Sequence, residues 1–290
     1  MIRSKIYIFI FTIILFCTAS VEAQTFFNGT EYGFSVGASQ YFGDLNDTRS
    51  FKYIRPAGGA FMRFHLNPYI SIKATTAYTK VGFDDKLNTN PYQKLRNLNF
   101  ESDIVEATCQ AEFNFFRMAT GEKKSQFTPY LTLGVGAFYY NPYTTLNGKK
   151  YFLNNLGTEG QNAGYKDRKY WYASACFPIG AGFKCWIAPG VNFSIEVADR
   201  LTLTDYLDDV STSYVGSDKF TTPNTGTFNA AIIAQDPSVL IDPDHPLGRA
   251  GKQRGNTSSY DQYMMFLMSF SFQLKSYKCP DYLRRGGGDL

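Results

Sequence analysis

The sequence predicts an all-β protein: an eight-stranded antiparallel transmembrane β-barrel of the outer-membrane type, with long extracellular loops. Three observations predict it. Successive segments alternate apolar and polar residues with a period of two, as strands do. The connections between those segments alternate short and long. The polar rows carry charges that a soluble core does not bury without partners.

Taken in order, the first segment (31–41) sets Tyr32, Phe34, Val36 and Ala38 against Glu31, Ser35 and Ser39. The second (57–66) sets Ala60, Met62, Phe64 and Leu66 against Arg63 and His65, and the third (70–83) sets Ile72, Ala74 and Tyr78 against Lys73, Thr75 and Thr79. In the fourth (98–116), Val105, Ala107, Cys109, Ala111 and Phe113 oppose Glu106, Gln110, Glu112 and Asn114. The fifth (127–140) and sixth (170–187) place Leu131, Leu133, Val135, Phe177, Ile179 and Phe183 opposite rows containing Gly134, Gly136, Gly180, Gly182 and Lys184. The seventh alternates Val191, Phe193, Ile195 and Val197 with Asn192, Ser194, Glu196 and Ala198. The last (263–274) is the plainest: Phe266, Met268, Phe270, Phe272 and Leu274 against Leu267, Ser269, Ser271 and Gln273.

The connections 43–55, 84–97, 141–169 and 205–259 are long, and those after the second, fourth and sixth segments read as short. A bacterial outer-membrane barrel has an even strand number, short periplasmic turns and long outer loops, so both chain ends are expected in the periplasm. The predicted lumen holds a mixed-sign network: Glu31, Arg63, Lys73, Glu106, Glu112, Lys184 and Glu196. In a barrel this narrow such a network fills the bore. Aromatics at the segment ends read as interfacial girdles: Tyr139, Tyr140, Tyr143, Tyr170, Trp171 and Tyr172 outside, Phe115, Phe116 and Trp186 inside.

Arg3 and Lys5, the apolar run 6–17 and Val21-Glu22-Ala23 read as a signal peptide cleaved before Gln24. The expected division is a signal peptide over 1–23, the barrel over 24–275 and a periplasmic tail over 276–290. The mature chain keeps 27 basic and 24 acidic residues, too even a balance to call for nucleic acid. Its cysteines, Cys109, Cys176, Cys185 and Cys279, form no CxxC pair, and no metal or other cofactor is expected. One disulfide is compatible with an oxidising periplasm.

No enzyme signature stands out, and the chain reads as non-enzymatic. A catalytic site at the outer rim would need His245 with Asp208 or Asp209. Asp205, Asp208 and Asp209 lack the spacing of a calcium loop and read as turn-fixing groups. Gly157-Thr158-Glu159-Gly160-Gln161 lacks the lysine of a phosphate loop. Asn192-Phe193-Ser194 matches a glycosylation sequon, a pattern common by chance. The apolar stretch 228–241 inside the last long connection suggests a short helix folded over the barrel mouth, or a surface for a partner. The glycine rows of the fifth and sixth segments keep open a second reading, a small pore or ligand-binding barrel for an apolar solute.

Six stretches together resemble the PorG family: Tyr41-Phe42-Gly43-Asp44-Leu45-Asn46, Arg96-Asn97-Leu98-Asn99-Phe100, Phe127-Thr128-Pro129-Tyr130-Leu131, Leu156-Gly157-Thr158-Glu159-Gly160, the run 203–211, and Gln253-Arg254-Gly255-Asn256. The resemblance implies a non-enzymatic barrel of the Bacteroidota type IX secretion system. Such a barrel anchors the periplasmic ring formed by PorK and PorN to the outer membrane. On that reading, contact with the ring falls on the periplasmic side: Asn67, Pro68, Tyr69, Lys123, Lys124, Pro189, Lys275, Lys278, Arg284 and Arg285. Outer-membrane lipid is the other partner, and no nucleic acid or small-molecule substrate is expected.

Overall fold

The computed structural model describes residues 30–118, 126–188, 190–220 and 229–273. The predicted signal peptide and tail, with Leu274 and Cys279, lie outside these residues. Nine strands occur among them: β1 (Thr30–Phe42), β2 (Arg55–His65), β3 (Ile70–Asp84), β4 (Asn99–Asn114), β5 (Phe127–Leu146), β6 (Lys149–Phe152), β7 (Ala173–Ala188), β8 (Val191–Thr202) and β9 (Gln262–Gln273). All except β6 pair antiparallel with their neighbours in turn, and β9 pairs with β1, so eight strands close into a barrel. Closure leaves no open edge, the condition for a sheet that crosses hydrocarbon.

Polarity is inverted relative to a soluble protein. On β9, Phe266, Met268, Phe270 and Phe272 are exposed, while Ser269 and Ser271 are buried. Phe34, Val36, Leu133 and Val135 likewise stand on the outer wall. The fold is therefore an outer-membrane-type barrel, as the alternation predicts.

Three features depart from the sequence reading. β5 runs on to Leu146, because Lys149–Phe152 folds back and pairs with its end. The connection after β4 covers residues 115–126, as many as the 43–54 connection after β1, so length alone does not sort the two ends. What sorts them is folded content. The long-loop end carries β6 and the short helices α1 (Pro91–Arg96), α2 (Leu153–Leu156) and α3 (Ala230–Gln235). α1 starts where Asn90 caps the Tyr92 N–H ahead of Pro91, and it stops at Asn97 in the left-handed region (φ 56°). α3 is the short helix expected in 228–241. Its Ala234 is buried, and the helix packs over the mouth.

The third departure concerns the girdles. Tyr140 and Tyr143 are buried, and Tyr170 stacks between Tyr140 and Tyr206, with ring centroids at 6.2 and 4.6 Å. These rings belong to packed loops rather than to an interfacial belt. Trp186 stands on the inward row of β7, beside Lys184 in the alternation. Tyr139, Trp171, Phe115 and Phe116 do face outward.

Candidate functional site: a filled bore and a cap

At the short-turn end the inward rows meet as a buried ion-paired network. The strand registers set Arg63 beside both Glu31 and Lys73, and Glu112 one strand further round. Arg63 contacts Glu31, and its Nε lies 2.8 Å from Glu112 Oε2. Glu112 also takes Lys184 Nζ at 2.8 Å and Lys73 Nζ at 3.4 Å. Lys73 donates to Glu196 at 2.5 Å, and the Tyr130 hydroxyl donates to the same oxygen at 2.9 Å. Glu31 additionally accepts from Asn192 at 2.6 Å and Ser271 at 3.1 Å, and His65 Nε2 lies 3.0 Å away. Asn192 is thus buried in the bore, where no glycan fits.

All seven predicted lumen charges are buried. An eighth, Arg200, continues the inward row of β8 two residues beyond Ala198, and its Nη2 lies 3.2 Å from Glu106. Glu106 also accepts from the Tyr263 hydroxyl at 2.7 Å. The bore thereby holds equal numbers of carboxylates (31, 106, 112, 196) and cations (63, 73, 184, 200). The glycines do not leave the room that a pore would use. A methyl group added at Gly182 would meet the Tyr130 ring at about 2.4 Å, and one at Gly180 would meet Ala198.

Toward the long-loop end the same inward rows turn apolar. Ala77, Val81, Phe83, Phe100, Ile104, Phe138, Met265 and Leu267 form one core with Leu45, Leu98, Leu153, Leu207, Val210 and Ala234 of the loops. Over this core the four long connections are tied into a cap by buried polar groups. Glu159 accepts from the Ser211 and Thr212 amides at 2.9 and 3.0 Å, and from the Thr212 hydroxyl at 2.5 Å. Arg254 Nη1 reaches Glu159 at 3.1 Å and the Asp209 carbonyl at 2.5 Å. Arg96 forks onto Asp85 at 2.7 and 2.8 Å and donates to the carbonyls of Arg254 and Asp44. Asp209 accepts from Thr158 and from the Tyr170 hydroxyl.

Five of the six stretches that carry the resemblance therefore meet in this cap. The sixth, 127–131, opens β5 at the other end. Sequence reasoning placed Asp208 and Asp209 in turns but missed their partners, which lie up to 167 positions away in the Tyr41–Asp208 pair.

The Tyr41 hydroxyl lies 2.6 Å from Asp208 and 2.8 Å from Asp261. It has one proton to donate, so the second contact is satisfied when that carboxyl is itself protonated. Consistently, burial and repulsion from neighbouring carboxylates hold Asp208 and Asp261 well above the usual carboxylate range. Burial also pushes Asp205 to about 7, and Asp44 and Asp209 to about 6. A cleft of about 560 Å³ opens beside Asp44, Asp47, Arg49, Tyr92 and Tyr260.

The rim-enzyme candidate does not assemble. His245 is highly exposed and among the described residues pairs with Asp242, at 3.4 Å, while Asp208 and Asp209 are engaged in the cap. Among the described residues no cluster of His, Cys, Asp or Glu could hold a metal ion. Cys109, Cys176 and Cys185 are free thiols, and no disulfide joins any two of them. Of the predicted partner contacts, Asn67, Pro68 and Tyr69 form a turn in which Asn67 Oδ1 accepts the Tyr69 and Ile70 amides, both at 2.8 Å. Tyr69 is exposed. Lys123, Lys124, Pro189, Lys275, Lys278, Arg284 and Arg285 lie outside the described residues.

An apolar outer wall, a charge-balanced bore and a folded cap define an outer-membrane-type barrel protein. The chain belongs to the family described as Domain of unknown function (DUF6089), whose model matches residues 4–231. No curated protein matches it in sequence. Among solved structures it is similar to Neisserial surface protein A, NspA (8% identity, 84% of this chain and 97% of that chain, TM-score 0.41). It is similar too to Ail, the attachment invasion locus protein of Yersinia pestis (9%, 85% and 99%, 0.40). The N-terminal β-barrel domain of Pseudomonas aeruginosa OprF is a third (8%, 85% and 98%, 0.34). Likenesses this distant carry nothing about function.

Proposed function

We propose that this protein is a non-enzymatic outer-membrane barrel that anchors or scaffolds the periplasmic ring of the type IX secretion and gliding machinery, contacting PorK and PorN. Its long loops face the exterior and its termini the periplasm. The observation that carries the reading is the filled bore: ion pairs occupy one end and an apolar core the other. A barrel filled in this way works through its surfaces rather than by conduction. The resemblance to the PorG family supplies the partner. The exposed Asn67-Pro68-Tyr69 turn, held rigid by its own asparagine, supplies a surface on the ring side.

The test is affinity capture of the tagged full-length protein from detergent-solubilised membranes of its own cells, followed by mass spectrometry. The ring lipoprotein should co-purify in stoichiometric yield, with a reduced yield from Tyr69→Ala. Recovery of the folded barrel without any ring component would contradict the assignment.

A further inference from the structure

The outer wall is not uniform. Ala60, Thr76, Ala107 and Ala137 stand in register across β2, β3, β4 and β5. In the next row Met62, Ala74, Cys109 and Val135 are in register. With so little side chain, the wall sinks into an apolar groove of about 680 Å³ edged by Tyr32, Met62 and Val135. On the neighbouring side the wall is bulky, with Phe34, Phe193 and Phe270 packed ring against ring.

Above this groove, beyond Tyr78, Val105 and Tyr139, the same strands become charged. Lys80 and Asp103 are register partners on β3 and β4. Lys80 Nζ donates to the Tyr143 hydroxyl at 2.9 Å and lies 3.6 Å from Asp103 and 3.7 Å from Glu101. Lys150 of β6 lies 3.3 Å from Asp103 and 3.4 Å from the centre of the Tyr143 ring. Arg55 contacts Glu101. Three cations gather round two carboxylates, so Glu101 and Asp103 orient the cations without neutralising them, and every member is partly exposed. At the mouth beside β7 and β8 the exposed large hydrophobic residues are Trp171, Leu201 and Leu203.

We propose that the groove and the charged cluster together hold one phosphorylated lipid of the leaflet at the long-loop end. Its phosphate sits at Lys80, Lys150 and Arg55, and an acyl chain lies in the groove below. Two physical arguments select this occupant. Excess positive charge at the edge of an apolar belt is complementary to a phosphate headgroup and worthless to a neutral one. In hydrocarbon no hydrophobic force favours a groove, so small side chains gain contact energy only where something packs closely against the backbone. The charged row lies four residues beyond the groove's upper row, about 13 Å along the strand, which one amphiphile spans. The inference rests on the reading of this barrel as membrane-spanning.

The experiment is native mass spectrometry of the full-length protein released from detergent micelles, titrated with monophosphorylated lipid A and with its dephosphorylated form. Wild type should retain the phosphorylated lipid about tenfold more tightly. The K80Q/K150Q variant should lose that preference. Ala107→Phe, which fills the groove, should weaken both forms, and millimolar inorganic phosphate should not displace the lipid. Equal retention of the two forms, or unchanged retention by folded K80Q/K150Q, would overturn the proposal. Heat-modifiable gel mobility and insertion into vesicles report separately on the barrel. A failure to insert would fail the membrane reading, whereas an inserted barrel without lipid preference would fail only this inference.

Discussion

The two halves of the bore solve the same packing problem with opposite chemistry. Near the short turns, Glu112 is held by Arg63, Lys184 and Lys73 in a site closed to water. Near the long loops, Phe100, Ile104 and Phe138 fill equivalent inward positions and continue without a break into Leu207 and Val210 of the cap. The lower half is a rigid electrostatic plug, in which each group depends on a named partner. The upper half is an ordinary hydrophobic core, so the cap behaves as a small soluble domain mounted on the barrel. Damage below should weaken the whole barrel, and damage above should loosen the loops first.

The largest expected effect comes from Glu112→Leu, which strands the buried Lys184 and takes one partner each from Arg63 and Lys73. Removing one partner of a buried ion pair costs about 3–5 kcal/mol. Urea unfolding in lipid vesicles should show a loss of this size for the entire barrel, and a loss confined to the loops would contradict the division. Next is Gly255→Ala. Its new methyl would fall 2.3 Å from Asp44 Oδ2 and 2.7 Å from the Ser211 backbone. Overpacking of this kind costs about 1–3 kcal/mol. Faster proteolytic clipping of the long loops, with barrel unfolding unchanged, is the expected signature.

A smaller effect is expected from pH. Folding raises the pKa of Asp205 to about 7 and of Asp44 and Asp209 to about 6. The folded cap thus binds protons more tightly than the unfolded chain does. That stabilisation is complete below about pH 4 and is lost as pH rises through 6 to 7. Of these three groups Asp205 has the pKa raised furthest by burial, so it carries the largest share. Loop protection against protease should therefore fall between pH 5 and pH 8, after correction for protease activity, and a rise would reverse the sign. The smallest effect is expected from His245→Ala. Exposed and paired with Asp242, this residue should change stability by less than about 0.5 kcal/mol.

The barrel was legible in the sequence because strand alternation is local. Phe266, Met268, Phe270 and Phe272 declare their face within seven residues. Arg200 was within reach of the same rule and needed only one more step along β8. The cap was not legible, because its bonds join distant positions: Glu159 meets Arg254 across 95 residues, and no local period encodes that. The aromatic residues misled for a related reason. Tyr140 and Tyr143 occupy strand ends, where a membrane girdle belongs, yet β5 continues past them into folded loops that cover them.

The central claim is that both halves of the bore are filled, so that the protein acts through its surfaces. Single-channel recording of the full-length barrel in planar bilayers tests it most directly. The account predicts no steady conductance from wild type at neutral pH. A stable, reproducible open level from correctly folded protein would contradict it.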